Sequence, residues 1–386
     1  PWVSSTLTAT VFAGSILGQL TMGFAGDILG RDWAMIFTLS IAALSAIGSA
    51  VLPMGDPTTV YTILLTCRFL LGIGVGGVYP LSATKAAEDA AYEGGKSNNR
   101  SAARSFFWQA PGSMVPWLLA LVVVPTSMSS ATEWRFLLGI GALPVAIAIS
   151  LCFYELHLHK KKALTPPIEE SKNVVAKPAG PSVFTLLGDW DMIQKLIGTG
   201  GAWFIFDVCY YGVGLFGGQI LASLKTTDDD DITSHQSIVL ISWQQAVALG
   251  CGIPAYLTSN YCIKRWGMKH TQMAGFVITA VCFVVMAVSF YPLEKQSPEL
   301  LYFFYCMLLF SLCFGPNVTT YVLPASVYDK DVRATMNGVS AALGKLGAVV
   351  GAYFFGAVAS MVGYPAVMVL CSFLSLVGAV ITYYYI

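Results

Sequence analysis

The sequence predicts an all-α membrane protein made of two helical bundles. Of its 386 residues, 56% are hydrophobic and only 11% are charged, and the mean hydropathy is +0.68. Soluble domains carry about twice that charged fraction. Apolar runs of about 20 residues, the length that crosses a bilayer, recur along the chain. A long polar segment divides these runs into two groups, which predicts two bundles joined by a linker.

About eleven apolar runs are long enough to form membrane helices. We place them at 4–25, 33–53, 58–82, 103–125, 135–154, 196–221, 237–259, 271–292, 299–323, 334–358 and 364–386. The polar segment 157–191, rich in Lys, Glu and Pro, predicts a flexible linker between residues 1–156 and residues 192–386. Each of these two parts is expected to form one transmembrane bundle.

Basic residues predict the orientation of the chain in the bilayer. Most of the 21 Lys and Arg residues fall in the linker or in turns on its side of the membrane. Those on the opposite side are Arg135, Lys225 and Lys295. Because basic residues concentrate in cytoplasmic loops, the linker of this multi-pass protein is predicted to be cytoplasmic.

Composition also excludes several classes of function. The net charge is zero, which gives no basic surface for nucleic acid. The nine cysteines lack the spacing of a metal site, and the four histidines lie outside the apolar runs. No nucleophile with a neighbouring base is evident. We therefore expect no metal, no cofactor, no nucleic-acid partner and no enzymatic activity.

One carboxylate lies deep in the run that follows the linker. Asp207 is the only charged residue between 196 and 221, and Trp203, Asp207 and Tyr211 are spaced four apart. That spacing places the three side chains on one face of a helix. A carboxylate at membrane depth is costly, and it persists where it carries an ion, a proton or a substrate. The alternative is that Asp207 only pairs with a basic group on another helix.

Two short basic turns form an internal repeat. Gly23 to Arg31 follows the first run and Lys264 to Lys269 follows the seventh, and each turn contains a glycine. In transporters of six plus six helices, such turns follow the second helix of each half. The repeat therefore predicts that the sequence is a fragment lacking helix 1. We also expect both turns to latch the cytoplasmic face.

The first turn and the third run carry spaced glycines and charges. The turn contains Gly23, Asp27, Gly30 and Arg31, and the run contains Arg68 followed by glycines at 72, 74 and 76. In these residues the chain resembles the major facilitator superfamily, whose loop 2–3 and helix 4 motifs have this order. The resemblance implies the major facilitator fold of two six-helix bundles, here with about 11 helices. It also implies a gating role for Gly23, Asp27, Gly30, Arg31 and Arg68.

Several further stretches resemble the proton-coupled inorganic phosphate symporters of fungi and plants. They are Gly76–Ala83, Trp134–Phe136, Trp203–Tyr211, Phe314–Thr320 and Gly344–Gly347. The resemblance implies a transporter of the plasma membrane that moves inorganic phosphate together with protons. It implies a phosphate site near the midplane formed by Tyr79, Gln109, Trp203, Asp207, Tyr211 and Asn317, with Lys345 beside it.

Three positions depart from the family pattern. Val78 stands where an acidic residue precedes the tyrosine of helix 4, Ser326 replaces a glutamate at the end of helix 10, and Lys264 replaces an aspartate in the second turn. If the sequence lacks helix 1, as the repeat predicts, it also lacks the aspartate that the family carries there. Asp207 is therefore the expected proton carrier.

The chemistry of these residues fits an oxyanion. Dihydrogen phosphate presents hydroxyl donors and anionic acceptors, so Asp207 can accept from a hydroxyl while tyrosine and amide groups donate to the other oxygens. A lysine at membrane depth, such as Lys345, needs a carboxylate or an anion as its partner. Two alternatives stay open: a carrier for a sugar or an organic ion, and a sensor that binds phosphate without transporting it.

Overall fold

The computed structural model describes residues 2–92, 98–126, 128–163, 188–214, 217–218, 220 and 234–386. All regular secondary structure in these ranges is helical, which confirms the predicted all-α class. The helices are α1 (Trp2–Leu29), α2 (Arg31–Val51), α3 (Pro57–Tyr92), α4 (Asn98–Phe107), α5 (Gln109–Val123), α6 (Ser130–Gly139), α7 (Ala142–Ala163), α8 (Trp190–Leu196), α9 (Ala202–Gly212), α10 (Ser234–Gly250), α11 (Gly252–Trp266), α12 (Met268–Gln296), α13 (Pro298–Cys313), α14 (Pro316–Val327), α15 (Arg333–Val362) and α16 (Tyr364–Tyr385). A π-helical turn, Ile197–Gly201, joins α8 to α9.

Ten helical segments within the described ranges are long and apolar enough to cross a membrane. They coincide with ten of the predicted runs and are Thr6–Leu29, Arg31–Val51, Pro57–Glu88, Ala102–Val123, Ser130–Leu158, Gln236–Trp266, Met268–Gln296, Pro298–Val327, Arg333–Val362 and Tyr364–Tyr385. The other predicted run, 196–221, contains the π turn and α9, and some of its later residues lie outside the described ranges. Residues 164–187 of the predicted linker also lie outside them.

Two predicted runs are divided by breaks that hydropathy does not reveal. The run at 299–323 is divided at Gly315, whose φ of 74° is a conformation that only glycine adopts readily. A Cβ built on Gly315 would lie 2.8 Å from the Cα atom of Gly275 in α12, so the close approach also requires glycine. The run at 103–125 is divided into α4 and α5 at Trp108. Each break places the start of a helix at a predicted site residue, Asn317 or Gln109.

Helix α3 continues to Tyr92, beyond its predicted end at 82. Its added turns carry Lys85, whose Nζ atom donates to Asp32 of α2 at 2.7 Å and to Glu155 of α7 at 2.6 Å. Because these charges are paired across helices, the helix extends past its apolar stretch. The apolar stretch alone had set the predicted boundary.

The other end of α3 begins after a capping carboxylate. Asp56 accepts hydrogen bonds from the backbone N–H groups of Thr58 and Thr59 and from the Thr59 hydroxyl. Free N–H groups at a helix start need such acceptors. These bonds, the one from the Thr59 hydroxyl most of all, lower the pKa of the Asp56 carboxyl.

Helix α1 packs against α3 of the N-terminal half (residues 2–156) and against α15 of the C-terminal half (residues 192–386). Small residues allow this close packing. A Cβ built on Gly18 would lie 2.9 Å from the Cα atom of Ile73 in α3. Helix α15 in turn packs against α9, which carries Asp207. The contact between the two halves therefore runs directly beside the predicted site.

Candidate functional site

Lys345 of α15 lies at the centre of a buried polar cluster. Its Nζ atom donates to Asp207 Oδ2 at 3.1 Å and to the Tyr211 hydroxyl at 2.7 Å. The side chains of Lys345 and Asp207 are only 8% and 4% exposed. An unpaired charge in such a place costs several kcal/mol, so each ion compensates the other. Asp207 does pair with a basic group on another helix, as the alternative held. That group, Lys345, is itself a predicted site residue, so the pairing agrees with a functional site as well.

The local fold explains how α9 presents this cluster. Asp207 and Tyr211 are four residues apart, so both reach Lys345 from successive turns of one helix face. Trp203, one turn earlier, packs against Gly344, the neighbour of Lys345. A Cβ on Gly344 would lie 2.5 Å from Trp203 Cδ1. The predicted row therefore forms one wall of the site.

The N-terminal half contributes an aromatic wall opposite α9. The ring centroid of Tyr79 in α3 lies 5.6 Å from Lys345 Nζ and 6.4 Å from the Trp203 ring centroid. Phe12 of α1 contacts Tyr211 edge to face, with ring centroids 4.8 Å apart. An ammonium group over an aromatic face gains electrostatic stabilisation. Both halves therefore touch the same cluster.

Asn317 belongs to a neighbouring group of residues rather than to the ion pair. Its Nδ2 atom donates to the Tyr256 hydroxyl at 2.8 Å. Phe106 of α4 lies between Tyr256 and Tyr321, at ring-centroid distances of 5.8 Å and 4.6 Å. Tyr321 lies 6.1 Å from Tyr79. This chain of rings connects Asn317 to the Lys345 cluster.

The sequence did not predict three neighbours of the site, which are Tyr256, Phe106 and Tyr321. One signal was available, because Tyr321 follows Asn317 by four residues and so shares its helix face. The Tyr321 hydroxyl also lies 2.9 Å from Ser82 Oγ of α3, which joins the two halves. Phe106 and Tyr256 carry no such signal, since they meet only in the folded protein.

Gln109 is the predicted site residue that stands apart. It is half-buried at the start of α5, and among the described residues its side chain has no hydrogen-bond partner. The structure therefore connects Tyr79, Trp203, Asp207, Tyr211, Asn317 and Lys345, but not Gln109. Its role as a phosphate ligand stays a prediction.

A second cluster joins the halves at one end of α1. Asp27 Oδ2 accepts from the backbone N–H of Thr335 at 2.9 Å and from its hydroxyl at 2.5 Å. Asp27 Oδ1 accepts from Arg31 at 2.6 Å. Arg31 also donates to both carboxylate oxygens of Glu88, at 3.1 Å and 3.3 Å. We call Asp27, Arg31, Glu88 and Thr335 the gate cluster.

The glycines of the gating motif shape this region, whereas Arg68 lies elsewhere. Gly23 packs against the backbone of Ala334, and Gly30 forms the turn with φ 87°. Arg68 lies about 30 Å from Glu88 along α3, at 1.5 Å per residue. No described residue accepts a hydrogen bond from its guanidinium. Arg135 instead donates to the backbone carbonyls of Ala50 and Pro53.

The arrangement can hold an oxyanion and move a proton. It places an ammonium, phenol hydroxyls and one carboxylate within a water-poor environment. An anion that binds Lys345 competes with Asp207 for the same donor. Within the described ranges, no three His, Cys, Asp or Glu side chains lie close enough together to hold a metal ion.

Helices of membrane length around a buried ion pair identify a multi-pass membrane protein. The fold is similar to that of the major facilitator proton:xylose symporter XylE bound to 6-bromo-6-deoxy-D-glucose. The TM-score is 0.72 at 12% identity, and the match covers 99% of this chain and 85% of that one. This likeness confirms the predicted major facilitator fold.

Residues 2–386 match the sugar (and other) transporter family, so the chain belongs to this family of the major facilitator superfamily. It is 36% identical over 385 residues to the inorganic phosphate transporter PT2 of Toxoplasma gondii (strain ATCC 50861 / VEG), covering 99% of this chain and 64% of that protein's length. It is 27% identical over 395 residues to inorganic phosphate transporter 1-6 of Oryza sativa subsp. japonica, covering 92% of this chain and 73% of that protein. The resemblance to phosphate transporters is confirmed.

Proposed function

We propose that this protein is a secondary transporter that moves inorganic phosphate across the plasma membrane by proton symport. The observation that carries the proposal is the buried Lys345–Asp207 pair with Tyr211, in a chain whose relatives are named inorganic phosphate transporters. The two bundles alternate access to this cluster, and the linker 157–191 between them is cytoplasmic. The protein works without a cofactor, and its partners are phosphate, protons and the lipid bilayer.

Competition between phosphate and Asp207 for Lys345 provides the coupling. When phosphate binds the ammonium group of Lys345, Asp207 loses its partner. An unpaired carboxylate buried in this site costs several kcal/mol of free energy. A proton on Asp207 removes that cost, and Asp207 also accepts from a phosphate hydroxyl when it is ionised. Phosphate and proton therefore enter together. On release, Lys345 and Asp207 pair again.

Tyr79, Trp203 and Tyr211 enclose the phosphate, and Asn317 and Gln109 donate amide hydrogens to it. Of these, Tyr79 and Tyr211 already lie against Lys345. Tyr79 comes from the N-terminal half, so closing the halves around the anion brings its hydroxyl into reach. Sulfate lacks a hydroxyl near neutral pH, so Asp207, while it is still ionised, accepts a hydrogen bond from phosphate but none from sulfate.

Asp207→Asn tests the proposal in the whole protein reconstituted into liposomes. The variant keeps the size of the side chain but cannot take up a proton, so accumulation driven by a pH gradient is expected to disappear while downhill exchange survives. The matched control is Asp191→Asn, which removes an exposed carboxylate that also pairs with a lysine, Lys195, at 2.6 Å. We expect the control to keep full uptake.

Two results would overturn parts of the proposal separately. Full gradient-driven accumulation by Asp207→Asn removes proton coupling through Asp207. If unlabelled xylose or sulfate displaces radiolabelled phosphate as well as unlabelled phosphate does, the assigned substrate is wrong. Binding of phosphate without any transport by the natural protein identifies a sensor instead.

A further inference from the structure

Gln19 of α1 and Asn337 of α15 are buried side chains that lack hydrogen-bond partners in the part of the chain that the structure describes. Both residues have 0% exposure. The side-chain nitrogen and oxygen of each have no partner among the described residues. Buried polar groups are paired in the great majority of cases, and an unsatisfied one destabilises the state that buries it. Four such atoms in two residues call for a functional explanation.

The two residues lie at the same level of the contact between the halves. The backbone carbonyl of Gln19 faces Gly338, the neighbour of Asn337, and Gly23 faces Ala334 one turn further. On α1, Gln19 lies between Phe12, which touches Tyr211, and Asp27 of the gate cluster. On α15, Asn337 lies between Lys345 and Thr335. The pair is therefore placed between the Lys345 cluster and the gate cluster.

The chemistry of two carboxamides suits a phosphate ion in passage. Each offers two N–H donors for anionic oxygens and one carbonyl that accepts from a phosphate hydroxyl. Neither carries charge, so the pair binds an anion more weakly than Lys345 does. A weak second position lets the anion move on, whereas a second ammonium would hold it.

We propose that Gln19 and Asn337 form a transit site for phosphate, an inference that rests on the proposed function. The anion occupies it after leaving Lys345, once the bonds between Asp27 and Thr335 open and α1 separates from α15. In this structure the bonds between Asp27 and Thr335 are formed, and the two carboxamides have no partners among the described residues. Their cost in this state favours opening.

The test combines apolar isosteres with three measurements in the whole protein. Gln19→Met with Asn337→Leu removes all four polar atoms at nearly unchanged volume. We expect the phosphate turnover rate to fall about tenfold, because contacts to the moving anion are lost. We expect equilibrium binding of phosphate at the Lys345 cluster to stay unchanged. We also expect the melting temperature to stay equal or rise, since unsatisfied polar groups have been removed.

Matched controls separate a transit site from a structural role. Gln272→Met alters another wholly buried glutamine, one that donates to Thr382 at 2.9 Å and lies between α12 and α16. It should lower the melting temperature and leave turnover intact. Gln19→Asn and Asn337→Gln retain the carboxamides and should retain most turnover.

The outcomes are distinct. Normal turnover in the apolar double variant overturns the transit site but does not contradict phosphate transport. In that outcome the two carboxamides bind only water. A fall in turnover that parallels a fall in melting temperature assigns the pair a structural role and also overturns it. If the natural protein does not transport phosphate, both the proposed function and this inference fail.

Discussion

The two repeated turns of the chain have the same backbone conformation but different side-chain contacts. Gly30 precedes α2 with φ 87°, and Gly267 precedes α12 with φ 82°. Both turns reverse the chain between two membrane helices, and both require a residue that tolerates positive φ. The internal repeat predicted from the sequence is therefore present as a repeated turn geometry.

The side chains of the two turns make different contacts. Three residues before Gly30 lies Asp27, which bonds Thr335 of the opposite half. Three residues before Gly267 lies Lys264, and Met268 takes the position of Arg31. Lys269 donates to the carbonyl of Tyr383 at 2.8 Å, within its own half. Among the hydrogen bonds and ion pairs of the described residues, only the first turn links the two halves.

This difference places the bonded latch in the first turn, and a latching role for the second turn stays a prediction. Glycine maintains the turn, whereas a carboxylate at the right position creates the link between halves. The backbone N–H of Thr335 lies at the start of α15, where an anion gains from free donors and the helix dipole. A lysine at the equivalent position gains nothing from a helix start. We therefore expect the first turn to contribute more than the second to the link between the halves.

The largest effect is expected for Asp27→Ala. It removes both bonds to Thr335 and the bond to Arg31, and charge-assisted bonds contribute about 1.5–3 kcal/mol each. The closed state loses stability relative to the open one, so phosphate turnover should fall by more than about tenfold. Lys264→Ala is the matched control and should stay within about twofold. Equal losses in the two variants contradict the assignment of the link to the first turn.

A smaller effect is expected for Arg31→Lys. Lysine keeps a positive charge beside Asp27 but cannot donate to both oxygens of Glu88, as Arg31 does at 3.1 Å and 3.3 Å. Turnover should fall about threefold to tenfold, measured as phosphate uptake into liposomes. Lys269→Arg makes the reverse change in the other turn and should not alter uptake. Full uptake by Arg31→Lys means that the forked contact to Glu88 is dispensable.

Hydropathy predicts the membrane helices well because burial in lipid requires long apolar runs. It does not predict where those runs bend. Gly315 and Trp108 divide helices that the sequence presents as continuous, since backbone conformation and contact with Gly275 decide the outcome. The end of α3 was placed too early for a similar reason, because the partners of Lys85 come from other helices.

The same holds for the site: residues close together in the sequence were predicted from spacing, whereas contacts between distant residues were harder to predict. Spacing by four on one helix predicted the wall of Trp203, Asp207 and Tyr211, because helical periodicity is local. The bond from Lys345 to Asp207 joins residues far apart in sequence, and the resemblance to phosphate symporters, together with their shared depth in the membrane, suggested it. Phe106 and Tyr256 gave no sign at all, since an aromatic residue in an apolar run reads as ordinary packing.

The smallest effect is expected for Lys269→Ala, which tests whether the second turn serves stability alone. The variant removes the hydrogen bond to the Tyr383 carbonyl and the contact of the ammonium with the Tyr383 ring, whose centroid is 5.4 Å away. Such exposed contacts contribute about 0.5–1 kcal/mol, so thermal unfolding in detergent should shift down by a few degrees at most. Phosphate uptake should be unchanged, because both contacts lie within the C-terminal half and persist while the halves separate. Lys269→Arg keeps the charge and the ring contact and should restore the melting temperature. A loss of uptake in Lys269→Ala without a loss of stability means that the second turn also takes part in gating, and that its contacts change when the protein opens.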